Sequence, residues 1–174
     1  IEQEGVKICE HERLKPILII TPKGEQVLDF GQNLAGYVEF EINAGKGDKI
    51  KLTFGEILDE DGNFFNDNYR KIAREDGGET YYCRDGKQKY KPSLSFFGFR
   101  YAKVDGIQKV NPNDFTAIAV HSDIERTGFI ECSDKKLNKL FSNIIWGQKS
   151  NYLDIPTDCP QRDERMGWTG DAQV

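Results

Sequence analysis

Long hydrophobic runs are missing from this chain. In its 174 residues no apolar stretch outlasts Ile17-Leu18-Ile19-Ile20, far short of the ~20 residues that cross a bilayer. A basic excess is missing too. Against 24 Lys and Arg stand 29 Asp and Glu, a net charge of −5. That balance provides no basic patch for nucleic acid and no attraction to an anionic membrane surface. Cysteine is scarce. Cys9, Cys83, Cys132 and Cys159 are scattered and form no C-x-x-C pair, which argues against structural zinc and against a dense disulfide framework. Thiols spaced this way are expected to stay reduced, as in an intracellular protein. The two histidines, His11 and His121, lie far apart in the sequence. Structural or surface roles are expected for both, and no metal site.

Two motif-like stretches fail on inspection. Gly31-Gln32-Asn33-Leu34-Ala35-Gly36 lacks the Lys-Ser/Thr pair of a phosphate-cradling loop. Leu58-Asp59-Glu60-Asp61-Gly62-Asn63 lacks both the ligand order and the distal Glu of a calcium loop, and reads as a turn between strands. An initiator Met and a signal peptide are also missing. The chain is therefore expected to be an internal piece of a longer protein.

What is present is the composition of a folded globular chain, 37% hydrophobic and 30% charged. Its periodicity changes once. Up to about Ser122 it is strand-like. Val38, Phe40 and Ile42 alternate with Glu39 and Glu41; Ile50, Leu52 and Phe54 alternate with polar neighbours. Period two with one apolar face marks half-buried antiparallel strands. Further strands are expected at 16–21, 25–30, 79–84, 100–104 and 115–121. Lys23-Gly24, Asp61-Gly62, Asp85-Gly86 and Asp105-Gly106 are turn material between them. Arg84–Lys87 is expected to close a tight hairpin. Short strands at this spacing predict an antiparallel, jelly-roll-like β-sandwich over residues 1–122. In Phe96-Phe97-Gly98-Phe99 the aromatics read as core. Arg100 after them is expected to brace the sandwich against the following domain through a forked ion pair.

From Ser133 the period is helical. Ser133 is placed as the cap and Asp134 in the first turn. Leu137, Leu140, Phe141, Ile144 and Ile145 then form one apolar face. Gly147 is the expected stop, followed by an extended segment through Asn151–Pro156. Asp171 reads as the opening of a further helix that the chain cuts short. The fold class is thus mainly β, with a truncated helical segment over 123–174.

The chemistry-bearing segment is Asp158-Cys159-Pro160-Gln161-Arg162-Asp163-Glu164-Arg165-Met166-Gly167-Trp168-Thr169-Gly170-Asp171. It packs four carboxylates, two arginines and a tryptophan into 14 residues. Crowded carboxylates raise one another's pKa and arginines lower it, which is how one acid stays protonated beside ionised neighbours. Trp168 offers a flat face for sugar C–H groups. A charge run is usually a solvated loop, but the prolines and glycines here make the loop bent and rigid.

This segment resembles the signature D-C-P-Q-R-D-E-R, one apolar residue, then G-W-x-G-D of bacterial α-L-rhamnosidases (glycoside hydrolase family 78). Leu28–Tyr37, Gly55–Gly62 and Phe97–Tyr101 are similar to blocks of that family's β-sandwich, in the same order. The resemblance implies a sandwich joined to the start of a truncated (α/α)6 barrel. It implies an inverting glycosidase that releases terminal α-L-rhamnose with no cofactor and no metal. It places Glu164 as general acid and Asp158, Arg162, Asp163, Trp168 and Asp171 in the rhamnose pocket. The carboxylate that activates water, held about 6.5–9.5 Å from the acid in inverting enzymes, would lie beyond Val174, so the piece alone is expected to be inactive. The partners implied are L-rhamnosides and the rest of the barrel. A cytoplasmic bacterial location is expected, with secretion left open. The rival reading is a non-catalytic carbohydrate-binding or structural sandwich module.

Overall fold

The computed structural model describes residues 5–67, 77–162 and 167–170. Ten strands come first: β1 Ile8–Leu14, β2 Ile17–Ile20, β3 Gln26–Ala44, β4 Lys49–Gly55, β5 Ile57–Leu58, β6 Phe64–Phe65, β7 Gly78–Tyr82, β8 Gly86–Tyr90, β9 Phe97–Asp105 and β10 Phe115–Ser122. One helix, α1 Lys135–Asn151, follows, and then β11 Tyr152–Leu153 and β12 Ile155–Pro156. No helix among the described residues is long and apolar enough to cross a membrane.

Eight strands form one antiparallel sheet in the order β1-β10-β3-β9-β4-β7, with β2 and β8 also pairing to β3. The 19-residue β3 organises it. Two apolar stretches, Val27–Phe30 and Leu34–Ile42, are joined across Gly31, whose φ of +75° bends the strand. The ladder to β9 shifts register between Asp29 and Leu34. That bulge lets β3 serve β2 and β9 near its start and β10 and β8 near its end.

The sheet curls over a single core, giving the expected β-sandwich. Phe40 on the far half of β3 meets Tyr81 of β7, at one end of the strand path, with ring centroids 5.5 Å apart. Phe54 of β4 stacks on Phe97 at 4.2 Å and meets Phe99 at 4.7 Å, and Phe99 takes the edge of Phe30 at 5.6 Å. Burying a side chain of this size contributes about 1.5–3 kcal/mol.

The expected alternation is realised, with local departures. Val38, Phe40, Ile42, Ile50, Leu52 and Phe54 are all buried. Glu39, expected to face solvent, is buried because Arg13 of β1 and Lys89 of β8 converge on its carboxylate. The hairpin expected at Arg84–Lys87 is not one. β7 pairs with β4 while β8 pairs with β3, so the turn carries the chain across the sandwich. Both tyrosine-bearing flanks can then pack rings against Phe40, and Tyr81 and Tyr90 also pack on each other with centroids 4.7 Å apart. The Leu58–Asn63 stretch is a turn as expected: Asp59 Oδ1 accepts from the backbone N–H groups of Asp61 and Asn63. Of the aromatics at 96–99, Phe97 and Phe99 are core and Phe96 is exposed.

Helix α1 differs from expectation at both ends. Its cap is Asp134, whose carboxylate accepts from Lys136 N at 2.7 Å, one residue later than the Ser133 expected. Gly147 does not stop it. The helix runs to Asn151, because Trp146 and Ser150 dock its last turns onto the sandwich. Tertiary burial here outweighs the helix-weakening glycine, a cost of only about 1 kcal/mol. Leu137, Leu140 and Ile144 of the expected apolar face are more than half exposed. Asn151–Pro156 is not one extended run either: β11 and β12 fold back on each other around Asp154, whose φ is +70°.

Candidate active-site loop

Helix α1 delivers the chain to the β11–β12 hairpin, and the hairpin is pinned to the sandwich. Asp154 N donates to Ser122 Oγ, at the end of β10, at 2.9 Å. Thr157 N closes back on Asn151 O at 2.7 Å. The loop dense in charge begins at the next residue, Asp158. Its far end returns as well, since Trp168 N donates to Pro156 O at 2.8 Å. The two ends of the segment 157–167 are therefore held together at its base.

Of the six candidate site residues, Asp158, Arg162 and Trp168 are described; Asp163, Glu164 and Asp171 lie outside the described residues. Arg162 Nη2 donates to Asp158 Oδ2 at 2.6 Å, an i,i+4 pair with both side chains partly exposed. The Cys159 thiol donates to the same oxygen at 3.4 Å. The carboxylate is thereby fixed in place beside a permanent positive charge. Trp168 is 47% exposed, so its ring keeps open surface. Among the described residues no group of His, Cys, Asp and Glu is placed to hold a metal ion.

The loop rests on the sandwich at Gly98. An added Cβ at Gly98 of β9 would fall 2.7 Å from both Pro160 C and Gln161 N. Sequence reasoning did not single out Gly98. Its signal was present, because a glycine inside a strand pattern marks close approach of another backbone. Two positions along β9, Arg100 does form the expected fork, but with Asp29 of β3 at 2.8 Å through each nitrogen. It braces strand to strand within the sandwich, not the sandwich to the next domain. Burial pushes the Asp29 carboxyl up; the Arg100 guanidinium and Gly31 N–H outweigh it and hold the group below its ordinary range.

A second connection lies where β1, β10 and α1 meet. His11 and His121, distant in sequence, stack with centroids 3.6 Å apart and planes 5° from parallel. Lys149 of α1 pairs with Glu12 of β1, and Glu12 Oε2 stands 3.7 Å from His121 Nε2. Both histidines are structural, as expected, but they share one site.

Comparison with known proteins fits this geometry. Residues 19–121 match the model of the bacterial alpha-L-rhamnosidase concanavalin-like domain, and residues 125–174 that of the six-hairpin glycosidase domain. The chain belongs to the bacterial α-L-rhamnosidase family. An alpha-L-rhamnosidase of Formosa agariphila is 40% identical over 161 residues, covering 90% of this chain and 17% of the relative. One from Alteromonas sp. is 41% identical over 157 residues, covering 87% and 16%. The crystal structure of Streptomyces avermitilis alpha-L-rhamnosidase complexed with L-rhamnose superposes with a TM-score of 0.89 at 36% identity, over 98% of this chain and 17% of that one. The chain thus spans about one sixth of the length of these three rhamnosidases.

Proposed function

We propose that this chain is the sandwich and the acid-bearing opening of an α-L-rhamnosidase that cleaves terminal α-L-rhamnose with inversion. The observation that carries the proposal is one of location. All six candidate residues fall inside 125–174, the segment that matches the six-hairpin glycosidase domain. We place the boundary between the two domains after Ser122.

In this reading Glu164 protonates the departing glycosidic oxygen. Asp158, Asp163 and Asp171 accept from sugar hydroxyls, Arg162 holds Asp158, and Trp168 packs against a C–H face of the ring. Positive charge develops on the sugar as the bond breaks, and the carboxylates stabilise it. The water-activating carboxylate comes from the rest of the barrel. The exposed Leu137, Leu140 and Ile144 of α1 are the face that barrel covers. The sandwich acts as a scaffold. Its contacts with α1 through β3 and β10 favour this over an independent sugar-binding module.

The test is hydrolysis of an aryl and an alkyl α-L-rhamnoside by the full-length protein and its Glu164→Gln variant. Loss of a general acid costs about 10²-fold or more, and more for the alkyl leaving group. Proton NMR of the first-formed sugar reports inversion. A Glu164→Gln variant at wild-type rate on the alkyl rhamnoside would remove Glu164 from the role. A wild-type protein inactive on every rhamnoside would remove the function.

A further inference from the structure

We propose that Gly98 is a positioning residue for the charged loop, which is seated on side-chain-free backbone of β9 so that the sandwich sets where the loop's acid stands. The inference rests on the functional reading above for the word acid; the seat itself rests on geometry alone.

Gly98 is not required by its backbone conformation, because its φ lies outside the left-handed region that favours glycine. Space requires it. A Cβ there would lie 2.7 Å from Pro160 C, 2.7 Å from Gln161 N and 2.8 Å from Pro160 Cγ, where non-bonded carbons ordinarily stand about 3.5–4.0 Å apart. The obstructing atoms are backbone and a proline ring, and neither swings aside as a flexible side chain does. The strand beneath is held on both faces. Phe97 and Phe99, flanking Gly98, are buried in the core. Arg100, on the same face as Gly98 by strand alternation, is forked to Asp29. The loop above is closed at its base by Trp168 N to Pro156 O. Glu164 lies three residues after Gln161 inside that closure. A methyl group at position 98 lifts residues 160–161 by about 1 Å, and covalent continuity from Gln161 carries the displacement toward Glu164. Misplacing a catalytic group by that distance costs up to about 10²-fold.

The experiment compares Gly98→Ala with wild type and with Gly147→Ala, whose added Cβ meets nothing within 4 Å. Two readouts are taken on the full-length protein. The first is the alkylation rate of each cysteine, resolved by mass spectrometry. In Gly98→Ala the Cys159 thiol, next to Pro160, is expected to react about 5-fold faster through local opening, while buried Cys83 keeps its rate. The second is kcat on an alkyl against a p-nitrophenyl rhamnoside. A displaced acid is expected to lower kcat about 10–100-fold for the alkyl substrate and much less for p-nitrophenol, which leaves with little protonation. A mere loss of folded protein lowers both equally.

An unchanged Cys159 rate in folded Gly98→Ala overturns the seat, whatever the protein's activity. A faster Cys159 with equal losses on the two substrates overturns the positioning role. A faster Cys159 in a protein whose wild type cleaves no rhamnoside sinks the functional reading and leaves the seat standing. If Cys83 accelerates as well, Gly98→Ala has unfolded, and Pro160→Gly replaces it. That variant frees the loop without touching the sheet and is expected to give the same split between substrates; equal losses would again overturn the role.

Discussion

Arg100 and Asp29 are joined by two parallel hydrogen bonds of 2.8 Å, Nε to Oδ1 and Nη2 to Oδ2, across the β9–β3 ladder. The Asp29 side chain is 9% exposed and that of Arg100 39%. The pair stands beside the bulge at which β3 changes neighbours.

Removing the arginine strands a buried carboxylate. Arg100→Ala is expected to destabilise the fold by about 2 kcal/mol, below the 3–5 kcal/mol of a fully buried pair because Arg100 is partly solvated. Arg100→Lys recovers less than half, since an ammonium cannot make the fork. The shift in urea midpoint of the two variants measures this. Equal stability of Arg100→Lys and wild type would show that charge alone suffices.

His121 sets a pH dependence. Its Nδ1–H donates to Ser122 O at 2.9 Å, which leaves Nε2 as a bare lone pair facing Glu12 Oε2. Among the described residues neither of these buried atoms has a hydrogen-bond partner. Burial pushes the His121 pKa down, helped by His11 and Lys149, against the pull of Ser122 O and Glu12. A histidine whose folded pKa is depressed takes up its proton more readily when unfolded. Stability is therefore fully present above about pH 6.5, the ordinary histidine value, and falls as pH drops below it toward the folded pKa. The slope in that window is at most about 1.4 kcal/mol per pH unit. An NMR titration of His121 is expected to give a midpoint below the ordinary value, and His121→Gln to flatten this part of the profile. A midpoint at or above the ordinary value would contradict the burial argument.

Two glycines are expected to respond oppositely to the same substitution. A Cβ at Gly36 would sit 1.9 Å from Ile118 O, where β3 and β10 pair. Gly36→Ala must force these strands apart, at a cost of about 3 kcal/mol or more, a large part of a typical 5–15 kcal/mol. Gly147→Ala, in open space within α1, is expected to stabilise by up to about 1 kcal/mol. Thermal melts followed by circular dichroism give both signs.

Asp158 separates binding from folding. Its ion pair with Arg162 is exposed, and such pairs contribute roughly 0–1 kcal/mol. Asp158→Asn is therefore expected to move the melting temperature little, while raising KM for an aryl rhamnoside in the full-length protein as a hydroxyl acceptor is lost. A large stability loss with unchanged KM would assign Asp158 to the loop's architecture instead.

Much of the molecule was legible in its residues, and the limits of legibility have physical causes. Alternation in 37–42 and 49–54 identified buried faces because strand period is local. The helix was found from its apolar spacing, but its ends were misplaced: Gly147 is a weak local stop, and docking of Trp146 and Ser150 decides where the helix finishes. The Arg84–Lys87 turn has hairpin chemistry, yet its flanks pair with different strands, since pairing depends on which edges the curled sheet leaves available. The Arg100 fork was anticipated without its partner, because Asp29 lies 71 residues away.

The strand-then-helix order, the core faces and a loop dense in carboxylates were all readable from neighbours within one turn or one strand. Long-range packing fixed the four partners of β3, the stacking of two distant histidines beside Glu12 and Lys149, and the resting of the loop on Gly98. Each of these depends on surfaces brought together across long stretches of chain. Close approach of two backbones follows from packing and leaves in the sequence only the absence of a side chain.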